Sequence, residues 1–169
     1  FGRCIAWTYA IEFQKRGLPH AHILLILHRD DKLRTTTDYD SVVSAEIPDP
    51  SKHPLLYEKV PKHMMHGPCG AANPACPCMV NGVCKRGYPK AHQSETLPNV
   101  QGYPLYRRAE NGPTHKGNDC RWVVPYNPWL LCKSGCPFNV EICCSIKAVK
   151  YLYKYTYKGP DRAQLAVKN

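Results

Sequence analysis

The chain has 169 residues, with 23 Lys and Arg against 13 Asp and Glu, a formal charge of +10. Charged residues at 21% and hydrophobic ones at 43% fit a folded domain and exclude a disordered one. The longest aliphatic run, Ile23 to Leu27, is too short for a transmembrane helix, no secretory leader opens the chain, and the surplus positive charge points to a polyanion such as nucleic acid.

Phe1, not Met, stands first, directly before a strand pattern, which predicts a piece cut from a longer polypeptide. The length fits one domain, 1–169, with three compositional parts at 1–58, 59–121 and 122–169. Two strands are predicted first, Cys4–Phe13 and Ala21–His28, joined by a basic turn holding Lys15, Arg16 and the breaker Gly17-Leu18-Pro19. Residues two apart on a strand share a face, so His20 and His22 project side by side, with Ala21, Ile23, Leu25 and Leu27 expected to face the core. Two parallel imidazoles suit one divalent ion. Glu12 and Gln14, on the preceding strand, are the candidate third ligands, and a carboxylate better suits hard Mg²⁺ or Mn²⁺. A bare His-x-His pair also fits polar residues at a sheet end.

A short helix or turn is predicted near Thr36–Ala45. The Gly-, Pro- and Cys-rich stretch from Lys59 to Trp122 shows little periodicity and reads as an insertion without a large core. His66, Cys69, Cys76, Cys78 and Cys84 crowd together there, and coreless loops of this kind are commonly held by Zn²⁺. The preferred set is His66, Cys69, Cys78 and Cys84, with Cys76 as a substitute and Cys132 and Cys136 as outside donors; ordinary free thiols are the alternative. Cys4, Cys143 and Cys144 read as buried small apolar residues. Basic residues including Lys85, Arg86, Lys90, Arg107, Arg108 and Arg121 are interleaved with Tyr88, Tyr103, Tyr106 and Trp122, a mixture suited to single-stranded nucleic acid.

A proline-interrupted strand is predicted over Trp122–Leu131, then a long helix over Asn139–Lys158 ended by Gly159-Pro160. On that helix Ile142, Ile146, Val149, Tyr153 and Tyr157 form a buried stripe. Tyr151 and Tyr155 fall on the opposite side, flanked by Lys147, Lys154 and Lys158, whose charge favours a phenolate or a phosphate bound to it. A solvated Lys/Tyr face that binds a partner is the alternative.

Together these segments resemble a known family. Glu12-Phe-Gln-Lys-Arg-Gly-Leu-Pro-His-Ala-His-Ile-Leu-Leu25 resembles the metal motif of the Rep (HUH endonuclease) domain of Helitron transposases, and Lys150-Tyr-Leu-Tyr-Lys-Tyr-Thr-Tyr-Lys-Gly159 resembles its two-tyrosine motif. His66-Gly-Pro-Cys-Gly70, Pro77-Cys-Met79, Gly102-Tyr-Pro-Leu-Tyr-Arg-Arg108 and Arg121-Trp-Val-Val-Pro-Tyr-Asn-Pro128 are similar too, in the same order.

The resemblance implies an α+β fold. An antiparallel sheet would carry the metal site, a tyrosine-bearing helix would pack on it, and a Cys-rich zinc insertion would separate them. It implies a nuclear, metal-dependent enzyme that nicks and joins single-stranded DNA in rolling-circle transposition. His20 and His22 would hold the ion, and Tyr151 and Tyr155 would be the nucleophiles. Lys154 and Lys158 lie beside them, and Lys15, Arg16, Arg107, Arg108, Arg121 and Lys147 would bind DNA. A Pif1-like helicase domain is expected in the full-length protein, yet no Gly-x-x-x-x-Gly-Lys-Ser/Thr loop occurs here, and the family's strand upstream of Phe1 is missing. The alternative is a zinc-stapled remnant that binds a single strand without chemistry, or a decayed product that does not fold alone.

Overall fold

The computed structural model describes residues 1–13, 19–100, 102–145 and the backbone of 163–167. Its architecture is α+β, with two small antiparallel sheets and three helices among the described residues. The elements are β1 (Cys4–Phe13), β2 (Pro19–Leu27), α1 (Thr36–Val42), α2 (Pro54–His63), β3 (Met79–Val80), β4 (Val83–Cys84), α3 (Pro128–Ser134) and β5 (Ala163–Val167). None of these helices is long and apolar enough to cross a membrane.

The chain divides into two compact units. The sheet unit comprises 1–35, 99–103 and 143–169; the cysteine unit comprises 36–98 and 104–142. These boundaries follow contacts in space, whereas the three-part sequence division followed composition.

In the sheet unit β1 is central, in the order β2-β1-β5, antiparallel to both neighbours. β1 and β2 form the predicted hairpin, with Glu12 opposite His20 and Ala10 opposite His22. The face expected to be buried is not. Ile23 and Leu25 are 54% and 42% exposed, whereas His22 and Leu24 are half-buried. β2 is apolar on both faces beyond His22, so alternation could not choose the inner one. Among the described residues of this sheet, Ala10 alone is buried.

The cysteine unit has a core, built mostly from residues that flank the Lys59–Trp122 stretch. Ile47, Val60, Met64, Val123, Tyr126 and Leu131 pack at 0–3% exposure. Pro54 starts α2 at a position where its missing N–H costs nothing, and Val60 is the residue it buries. The strand predicted over Trp122–Leu131 is instead a 3₁₀ turn at Cys120–Trp122, isolated bridges at Val123 and Tyr126, and α3. Asn127 causes the switch. Its side chain accepts a hydrogen bond from Leu130 N at 2.9 Å, Pro128 follows at the first helical position, and Gly135 closes the helix at φ 61°.

The long helix predicted from Asn139 is absent over its described part. Asn139–Ser145 is non-helical, because its backbone groups bond elsewhere: Asn139 bridges Tyr126, Val140 N donates to Pro125 O, and Ile142 N donates to the Tyr106 hydroxyl. Ile142 packs on Val43, Ala45 and Tyr106. The rest of that segment, with Lys147, Tyr151, Lys154, Tyr155 and Lys158, lies outside the described residues, as do Gln14, Lys15 and Arg16.

Candidate metal centre and histidine pair

The cysteine unit gathers His66, Cys69, Cys78 and Cys84 so that one ligand atom from each lies within 4.8 Å of the others. This is the set preferred from spacing. His66 is fixed from behind: its N–H donates to Trp122 O at 2.8 Å, and the neighbouring Met65 bridges Val123, next to the core. Cys78 and Cys84 flank the β3–β4 hairpin, tied by Lys85 N donating to Cys78 O. Asn81 (φ 50°) and Gly82 (φ 77°) make the two-residue turn, and an Asn-Gly pair is the sequence that tolerates two positive φ values. Gly67 has φ 116°, and a side chain there would also meet the Trp122 ring at 3.2 Å.

The donor set fits a tetrahedral ion. Zinc bond lengths to sulfur and imidazole nitrogen place an S and an N about 3.6 Å apart across a tetrahedron. His66 Nε2 lies 3.6 Å from Cys69 Sγ and 3.4 Å from Cys84 Sγ. Burial, Arg86 and Lys90 lower the His66 pKa, which favours the neutral imidazole a metal needs. Burial raises the Cys84 thiol, but N–H groups of Tyr88 and Arg86 and the Cys78 and Cys69 thiols outweigh it and bring it down to about 7. Burial and the surrounding thiols push Cys78 up to about 12. The Tyr88 ring stacks on His66 at 4.2 Å, with Lys90 Nζ 4.9 Å from the same ring. Sequence reading took Tyr88 and Lys90 as nucleic-acid contacts and missed this supporting place; only the closeness of Tyr88 to Cys84 hinted at it. Cys76 Sγ accepts from Cys78 Sγ at 3.4 Å but stands outside the four-residue group, as do Cys132 and Cys136. Cys143 is exposed and Cys4 and Cys144 are only half-buried, so these three are not the interior thiols expected.

In the sheet unit, the register puts Glu12, His20 and His22 on one face. Direct cross-strand partners share a face, and Glu12 opposes His20 with His22 two residues further. His22 Nε2 lies 3.3 Å from Glu12 Oε2. Among the described residues, the three do not close into a ligand cluster as the thiols do.

Of the predicted DNA contacts, Arg108 is corrected. It is 5% exposed, and its Nη1 donates to the carbonyls of Ala45, Cys120 and Val123. A guanidinium occupied by three interior carbonyls staples the core and does not face a phosphate. Arg107 pairs with Glu46 and Arg121 with Asp119, so part of their charge is already matched. Glu141, unnoticed in the sequence, has an Oε2 sealed from solvent without a hydrogen-bond partner. Burial raises its pKa to about 7 against the lowering by Tyr106, Arg108 and Lys90.

Residues 1–25 match the family model of the Helitron helicase-like domain at the N-terminus. This stretch is Helitron-like. It contains β1, Glu12, His20 and His22, the parts whose register is described above. No curated protein matches the chain.

Proposed function

We propose that the chain is the nicking and joining part of a Helitron transposase, acting on single-stranded DNA in the nucleus. The observation that carries this reading is the common face of Glu12, His20 and His22 within the Helitron-like stretch. Charge supports it. The sheet unit holds 12 Lys and Arg against 4 acidic residues, while the cysteine unit holds 11 against 9. The excess that would attract a phosphodiester chain therefore belongs to the unit with the histidines and Tyr151 and Tyr155.

One carboxylate and two imidazoles suit a divalent cation such as Mg²⁺ or Mn²⁺, which when bound would polarise a phosphate. Gln14 is the other candidate oxygen donor. The chain's own chemistry is a transesterification. The phenol oxygen of Tyr151 or Tyr155 bonds to phosphorus, the bond to the 3′-oxygen breaks, and that oxygen leaves with a proton as a free 3′-hydroxyl. One phosphodiester replaces another, so the reverse step rejoins the strand. Lys154 and Lys158 would stabilise the phenolate. Lys15, Arg16 and Lys147 would position the strand, with Arg107 and Arg121 contributing as far as their carboxylate partners allow. A Pif1-like helicase domain elsewhere in the full-length protein would supply unwinding.

The test is an adduct assay. With a single-stranded oligonucleotide and Mn²⁺, the chain forms a covalent protein–DNA species, and Tyr151→Phe/Tyr155→Phe forms none. An adduct persisting in the double variant would overturn the assignment of the nucleophiles.

The His66–Cys84 cluster favours a second reading, a zinc-stapled module that binds single strands without chemistry. Salt-dependent binding with no adduct under any metal would select it.

A further inference from the structure

The candidate metal cluster flanks a hairpin whose tip packs against nothing in the core clusters of the described residues. Val80 and Val83 face each other across the Asn81-Gly82 turn and are 52% and 67% exposed. Two β-branched apolar side chains at the apex of a loop leave apolar surface in water, and covering it would be favourable. Their hairpin is anchored at its base. Cys78 precedes β3 and Cys84 ends β4, both belong to the four-residue cluster, and Gly70 N donates to Met79 Sδ at 3.3 Å behind the tip.

Charge indicates what covers them. From Lys59 to Ser94 the sequence has no Asp or Glu, while Lys59, Lys62, Lys85, Arg86 and Lys90 all fall within it. Lys85 and Arg86 follow β4 directly and are exposed. An apolar point with cations at its base, on an acid-free loop, matches unstacked bases between two phosphate backbones. Apolar wedges inserted at a base step unstack it at a cost of a few kcal/mol, and the cost is least where pairing already ends.

We propose that Val80-Asn81-Gly82-Val83 is a strand-parting wedge, which inserts its two valines at the junction between duplex and single-stranded nucleic acid while Lys85 and Arg86 hold the flanking phosphates. The inference rests on the nucleic-acid reading above but not on its chemistry. It adds a physical activity: opening the base pairs next to a single-stranded site.

The experiment uses the whole chain loaded with metal and a forked DNA carrying 2-aminopurine in the last base pair. The unaltered chain raises the fluorescence as that pair opens. Val80→Thr/Val83→Thr keeps branching and bulk but removes apolar surface, and opening falls roughly ten-fold. Lys85→Gln/Arg86→Gln weakens binding and reduces the salt slope by about 1.5. The Co²⁺–thiolate absorption of each variant reports whether the cluster is intact. A second measurement needs no variant: the methyl resonances of Val80 and Val83 shift when the fork is added. Opening unchanged in the threonine variant, or methyl resonances that stay still, would overturn the wedge. So would a threonine variant that loses self-association in light scattering while opening normally, since the valines would then cover a second copy. An adduct without junction opening would sink the wedge and spare the nuclease. Valine-dependent opening without an adduct would do the reverse.

Discussion

The two units differ in where their apolar side chains go. The cysteine unit seals Val60, Val123 and Leu131 to 0% exposure and backs its thiol cluster against the same segment through His66 and Trp122. The described strands of the sheet unit leave Ile5, Phe13, Ile23, Leu25 and Ile26 exposed at 40% or more. The sheet unit in turn holds most of the excess positive charge and the residues proposed for chemistry. The sealed core and the residues proposed for chemistry thus belong to different units of one chain, which predicts that each can be perturbed separately.

Removing metal should give the largest contrast. Chelation, or Cys78→Ser/Cys84→Ser, lowers the melting temperature of the cysteine unit by about 10 °C or more, since structural metal binding is folding free energy. The β1–β2 amide signals of the sheet unit change little by NMR. Equal loss in both units would end the comparison.

A smaller contrast comes from matched truncations. Leu131→Ala opens a cavity in a sealed core and costs about 2–5 kcal/mol in urea unfolding, while Ile23→Ala on the exposed face costs about 0.5 kcal/mol or less. Similar values would mean that Ile23 is buried in solution.

The smallest effect depends on pH. The Glu141 carboxyl is raised from 4.5 to about 7, so the folded state holds a proton that the unfolded state releases. Its contribution is fully present below pH 4.5 and is lost as pH rises through about 7, by about 1–3 kcal/mol. Glu141→Gln flattens this decline. A parallel decline in the variant, measured by denaturant unfolding from pH 4.5 to 7.5, would assign the slope to other groups.

The sequence announced some of this architecture and concealed the rest for definite reasons. The β1–β2 hairpin was legible because strand patterns flank a short breaker, whereas the register that sets Glu12 opposite His20 needed the structure. The thiol cluster was legible because cysteines crowd a stretch that has no helical or strand period. The buried face of β2 was not, since its apolar residues continue on both sides. Helices α2 and α3 were missed because they are short and begin with proline, which read as interruption; the Asn127 cap carried the signal. Arg108 looked like its neighbour Arg107, and only tertiary packing separates a core staple from a surface cation.

The order β2-β1-β5 has a consequence for biogenesis. β1 and β2 are adjacent in the chain, but the other edge of β1 is taken by Ala163–Val167, after the whole cysteine unit has been made. On a ribosome the intervening unit can therefore mature while the first hairpin still carries an unsatisfied edge, and the late strand closes the most sequence-distant strand pairing among the described residues.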